Sequence, residues 1–145
     1  MIAIGCDHGG FEIKEKIRIY LENNHIIFKD FGTNGTASVD YPEFAKKVSE
    51  SVSSGESKFG ILICGTGIGV SIAANKIKGI RAALCHNVHY AQMAKKHNDA
   101  NILCLGGREI TDKEAIDIVN AFLNTKFESG RHEKRISQIS ELEKM

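Results

Sequence analysis

The chain predicts an α/β fold: a three-layer α/β/α sandwich around a Rossmann-like five-stranded parallel sheet, with an extra C-terminal helix. Three observations predict it. Five short apolar runs recur along the sequence, and amphipathic segments separate them. Those segments repeat their apolar residues at helical spacing, not at the alternation of a half-buried strand. Strand and helix alternating throughout then implies parallel pairing through right-handed crossovers.

The first run is Ile2–Cys6, and Ile13, Ile17, Tyr20 and Leu21 after it share one helical face. The second, Ile26–Phe31, leads through a loop to Asp40-Tyr41-Pro42 and then to Phe44, Val48 and Val52, again one face. The third is Phe59–Cys64, followed by a glycine-rich loop; the fourth is Ile80–Cys85. The fifth, Ile102–Leu105, precedes a helix that carries Ala115, Val119 and Phe122. A last helix, about 130–143, aligns Ile136, Ile139 and Leu142 and has no sixth strand to serve. Two placements stay open for it: capping its own sheet, or packing on a second subunit. No repeat, low-complexity tract or linker interrupts residues 1–145, so one domain is expected.

Composition narrows the function. Of 145 residues, 42% are hydrophobic and 26% charged, ordinary for a globular domain. Nineteen basic against 18 acidic side chains leave a net charge of +1, which supports no general nucleic-acid footprint. No apolar run approaches the roughly 18 residues of a membrane span. The N-terminal residues lack the basic segment and cleavage site of a secretory signal, so a cytoplasmic protein is expected. Cys6, Cys64, Cys85 and Cys104 stand singly, and free thiols are the default there.

Ligands of open parallel sheets sit beyond the carboxyl ends of the strands. The loop Cys64-Gly65-Thr66-Gly67-Ile68-Gly69 is the most informative there. Three glycines at alternate positions let backbone N–H groups approach and converge on an anion. Three known loops fail the test. A P-loop needs a terminal Gly-Lys-Ser/Thr. A dinucleotide fingerprint needs Gly, and a Cys-x5-Arg phosphatase loop needs Arg, where Val70 stands. What survives is a thiol at a strand end before a helix, read either as a base or nucleophile or as a buried core cysteine.

Other features carry two readings each. Asp7-His8, after the first strand, suits proton transfer or a simple helix cap. Gly5 to Gly10 followed by Asp30 weakly resembles a dinucleotide turn, but Asp7 would then oppose the pyrophosphate. Arg131 and Arg135, four apart on the last helix, suit a phosphate or form a solvated charged face; Arg108 at a strand end favours the phosphate. His86 and His89 lack a third ligand, and no metal site is expected.

Taken together, these stretches resemble one family, the type B ribose-5-phosphate isomerases, which also includes galactose-6-phosphate isomerase subunits. The matching stretches are Gly5-Cys6-Asp7-His8, Asp40-Tyr41-Pro42, Cys64 to Gly69, Ser71 to Lys76, Gly79 to Ala82, His97 to Asn101 and Gly130 to Arg135. The resemblance covers nearly the whole chain. It implies interconversion of ribose 5-phosphate and ribulose 5-phosphate without a cofactor. By matching position it implies Cys64 as the base at C2, His97 as the acid that opens the sugar ring, and Asp7 as its assistant. Gly65, Thr66, Gly67, Ile68 and Gly69 would stabilise the enediolate, with Thr66 adding its hydroxyl. His8 and Tyr41 would line the pocket, and Asn98, Arg108, Arg131 and Arg135 would hold substrate and phosphate. A branch of the family places a Glu base where Val70 stands; Cys64 with Val70 resembles the cysteine branch. Thr111 departs from a position where the family often has Gly.

One consequence is topological. His97-Asn98 precedes the fifth strand and belongs at the amino edge of the sheet, whereas Cys64 ends the third at the carboxyl edge. A strand of about 5–6 residues spans roughly 17–20 Å, too far for both groups to reach one sugar. A homodimer with a shared site is therefore expected, and pairing into a dimer of dimers stays open. Two other readings remain: the same chemistry on allose or galactose 6-phosphate, or a non-catalytic sugar-phosphate or nucleotide-binding module.

Overall fold

β1 (Ile2–Cys6), β3 (Phe59–Cys64) and β5 (Ile102–Gly106) are near-continuous apolar runs, as strands covered on both faces must be. They form the middle of a sheet ordered β2-β1-β3-β5-β4, every pair parallel, in a computed structural model that describes residues 1–145. The edge strands β2 (Phe28–Asp30) and β4 (Ala82–Leu84) are three residues each, shorter than the apolar runs Ile26–Phe31 and Ile80–Cys85 suggest. An edge strand has a ladder on one side only, so its ends are not held by a second neighbour.

Alternation along β3 divides the core in two. Ile61 and Ile63 join the cluster under α1 (Phe11–Asn23), α4 (Val88–Asn98) and α5 (Asp112–Asn124). Leu62 and Cys64 face the other way, into the cluster under α2 (Tyr41–Ser53) and α3 (Ile68–Ala74). Pro42 and Tyr41 open α2 instead of ending a loop, and Pro fits there because that N–H has no partner in the helix. Thr111, the family departure, caps α5: its hydroxyl accepts from Glu114 N–H at 3.1 Å, and Glu114 Oε1 accepts from Thr111 N–H at 3.1 Å. Its change from Gly has a local reason.

The crossovers fix where a ligand can sit. After β1 and β5 the chain leaves to the α1/α5 face, and after β3 it leaves to the α3 face. The connections therefore part on either side of β3, and that parting opens a crevice at its carboxyl end. Cys64 stands there. α6 (Arg131–Leu142) buries only His132 and is tied at its far end by Glu143 Oε1, which accepts from Gly79 N–H at 2.8 Å. α6 runs over the amino edge of its own sheet, and Ile139 and Leu142 stay exposed. No helix is long and apolar enough to cross a membrane.

Candidate active site

The four thiols differ in what their sulfur touches. Cys6 and Cys85 donate to backbone carbonyls, and Cys104 is fully enclosed. Burial pushes the Cys6 thiol up to about 12 and Cys85 to about 11, and drives Cys104 higher still. They are small core hydrophobes. Cys64 alone accepts a backbone N–H: Gly67 donates to its Sγ at 3.2 Å. Its sulfur is thus an acceptor for the loop, where the other thiols are donors or enclosed.

The loop that supplies this donor is forced by its glycines. Gly67 has φ 81°, and a Cβ there would lie 2.8 Å from the Leu105 carbonyl carbon. A Cβ on Gly69 would sit 2.5 Å from the Tyr41 ring, so this glycine lets Tyr41 lie flat against the loop. Of the five loop amides, Gly67 serves the Cys64 sulfur and Ile68 the Thr66 hydroxyl at 3.3 Å. Those of Gly65, Thr66 and Gly69 donate to no group of the chain. They are fixed, unspent donors next to the Cys64 sulfur.

The neighbouring loops complete this edge. Asp7 accepts from Gly10 N–H at 3.2 Å, so its capping role is realised, and it is 7% exposed. His8 accepts the Val39 N–H on Nδ1 at 3.2 Å, which leaves Nε2 to carry the proton of the neutral ring. That bond ties in the long β2–α2 connection. Lys14, fully buried, fastens the same connection by donating to Asp30 at 2.7 Å and to the Thr33 carbonyl at 2.8 Å. Asp30 is thereby spent inside the fold, which removes it as a ribose ligand. Arg108 lies over the glycines of two loops, its guanidinium 3.1 Å from where a Cβ on Gly65 would be.

The remaining site residues are elsewhere. β3 and β5 pair in register from Gly60–Ile102 to Cys64–Gly106, which alone separates the two edges by roughly 13 Å. His97 and Asn98 end α4, beyond the amino end of β5. His97 stacks on His132 with ring centroids 4.3 Å apart and planes 15° from parallel, and its Nε2 is 3.5 Å from Glu128. The charges of Arg131 and Arg135 bear on the same His132. Desolvation first, then the positive neighbours His97 and Arg131, lower the His132 pKa from its usual value. Arg81 holds this helix end in place, donating to the Asn98 carbonyl at 3.1 Å and to that of Asp99 at 2.9 Å.

The structure therefore brings the candidate residues together as two groups. Asp7, His8, Tyr41, Gly65 to Gly69, Cys64 and Arg108 meet at the carboxyl edge; His97, Asn98, Arg131 and Arg135 meet at the amino edge. Glu128 and His132 are additions that sequence reasoning did not single out. His132 lies inside the matching stretch Gly130 to Arg135, but no spacing rule couples it to a histidine 35 positions earlier. Ligating atoms of His97, Glu128 and His132 lie within 4.8 Å of one another. Imidazole lone pairs lie in the ring planes, and two stacked planes do not aim them at one ion. His86 precedes α4 and His89 lies within it; both are exposed.

Fold and site together define an α/β protein with a buried thiol beside a loop of unspent backbone donors. The Ribose/Galactose Isomerase family model matches residues 2–139, and the chain belongs to that family. Ribose-5-phosphate isomerase B of Escherichia coli is 44% identical over 142 residues, covering 98% of this chain and 95% of that one. The structure of Clostridium thermocellum ribose-5-phosphate isomerase B superposes with a TM-score of 0.98 at 52% identity, covering 99% of this chain and 97% of that one. The Mycoplasma genitalium ribose-5-phosphate isomerase B structure with bound ribulose-5-phosphate gives 0.94 at 45% identity, covering 99% and 95%.

Proposed function

We propose that this protein interconverts ribose 5-phosphate and ribulose 5-phosphate by cofactor-free proton transfer. The observation that carries the reading is the Gly67 N–H on the Cys64 sulfur beside three free amides. In the open-chain aldose, Cys64 as thiolate takes the proton from C2. The electron pair moves to the C1–C2 bond, and the aldehyde oxygen becomes the oxyanion of a cis-enediolate. Gly65, Thr66 and Gly69 offer that oxyanion donors that need no reorganisation, each worth about 3–4 kcal/mol in comparable sites. The C2 hydroxyl proton passes to the C1 oxyanion, and the thiol returns its proton to C1, which gives the ketose and leaves Cys64 again a thiolate. One base serves both carbons because they are adjacent.

Ring opening comes first. His97 gives a proton to the ring oxygen, and Asp7 receives that of the anomeric hydroxyl. Arg108, Arg131 and Arg135 hold the phosphate, Asn98 and His8 the hydroxyls, and Tyr41 walls the pocket. The phosphate does not react; its binding energy goes into positioning.

Since one chain places Cys64 and His97 at opposite sheet edges, the active unit is a homodimer whose sites are each built from two copies. Exposed apolar residues support this. Ile68 and Ile72 on α3 project beside the Cys64 loop, and Ile139 and Leu142 on α6 lie uncovered. Four free cysteines suit a reducing cytoplasm.

Formation of ribulose 5-phosphate, assayed with EDTA present, tests the reading. Wild type turns over, and Cys64→Ala loses about a thousandfold or more in kcat. Mixing inactive Cys64→Ala and His97→Ala proteins under subunit exchange restores activity; no recovery with exchange verified refutes the shared site. A wild type that acts only on six-carbon phosphates moves the assignment to those substrates.

A further inference from the structure

Next to the amino-edge group, but lined by none of the candidate site residues, a cavity of about 360 Å³ opens at the amino end of β3, between α4 and the segment after α5. Three lysines line it: Lys58 before β3, Lys95 on α4 and Lys126 after α5. No carboxylate of the chain lies within ion-pair reach of any of them. The one acid in the wall, Asp99, is paired to Arg81 at 3.5 Å. Positive charge is in excess.

Lys95 is the unusual member. It is 3% exposed, and its Nζ lies 3.6 Å from the centre of the Phe59 ring and 4.9 Å from that of Phe122. Its single hydrogen bond is a long one, 3.4 Å to the Ala100 carbonyl. An ammonium has three donors, and here most of them have no protein acceptor. Aromatic faces attract the charge but accept no full hydrogen bond from it. Burial, then the charges of Lys58 and Arg81, push its pKa down to about 8, although Asp99 pulls it up. A structural lysine would be expected to reach solvent or a carboxylate, as Lys14 reaches Asp30. Lys95 instead lines a cavity with two further cations at its mouth.

The geometry assigns this cavity to a phosphomonoester dianion, free or esterified, held by Lys95, Lys58 and Lys126. A dianion matches three point charges better than a single carboxylate does, and lysine ammonium groups accept phosphate without a fixed geometry. Phe59, Leu123 and Phe127 provide apolar wall for the body of an ester.

Backbone amide NMR of the intact protein, titrated with inorganic phosphate at fixed ionic strength, tests it. Saturable shifts at Phe59, Ala100 and Thr125 are expected. They should persist in an Arg131→Ala/Arg135→Ala protein, which separates this cavity from the substrate phosphate site. They should weaken at least about tenfold in a Lys58→Ala/Lys126→Ala protein, whose turnover stays at the wild-type level. Lys95→Met, which keeps the packing, should abolish them. Absence of shifts where phosphate saturates the Arg131–Arg135 site overturns the assignment. So do shifts untouched by the lysine substitutions, or an equal response to acetate.

Discussion

Little in the structure separates Cys64, the proposed base, from the three core cysteines. It is buried like Cys85 and Cys6 but 5% exposed against 1% and 0%, and it differs from them in the direction of one hydrogen bond. Iodoacetamide on the folded protein should therefore modify one thiol per chain, found at Cys64 by peptide mass mapping, with activity lost in proportion. Early adducts at Cys6 or Cys104 would contradict the comparison. His132 offers a second test. Its pKa is lowered, so the fold favours the neutral ring, and the stack on His97 holds above the usual histidine range. As pH falls through the lowered His132 value, that ring charges and the stack is weakened. His132→Phe keeps a ring that cannot charge. Its kcat should fall less steeply than wild type on the acid side, with KM for the sugar phosphate little changed.

At the scale of elements, the sequence made the strands and helices legible because each carries its own period. Ile13, Ile17 and Leu21 are buried on one face as expected, and so are Phe44, Val48 and Val52. The sheet order was not legible. β5 inserts between β3 and β4, and nothing within either run states which neighbour it takes; handed crossovers and helix packing decide that. The candidate site was legible where a motif is local, as in Cys64 to Gly69. It was not where partners come from distant elements, as with His97, Glu128 and His132. α6 belongs to this scale too. It buries one residue, so a chain ending at Gly130 should stay folded, with a thermal midpoint within a few degrees of wild type. Loss of Arg131 and Arg135 should raise KM for the phosphorylated substrate by two orders of magnitude or about that. Cooperative unfolding near room temperature would show instead that α6 is part of the core.

For the molecule as a whole, Lys95 links stability to pH. The unfolded chain holds its proton up to the ordinary lysine value of 10.5, while the folded chain releases it at about 8. Between those values the unfolded state binds more protons, so stability rises with pH; below about 8 the folded protein bears the full cost of a buried charge. Lys95→Met removes that cost. The variant should be more stable than wild type at pH 7 by about 2 kcal/mol, and the gap should close toward pH 10.5. Denaturant melts of both proteins at several pH values check it. A gap that does not change with pH would place the effect in packing alone.

The proposed sharing of each site between two copies would also have a genetic meaning. A copy lacking only Cys64 would still lend a sound His97 to a normal partner, so a mixed pair would keep one working site of its two. A copy lacking both would lend nothing. Every normal chain it paired with would be silenced, and one allele would become dominant over the other although neither changes the fold.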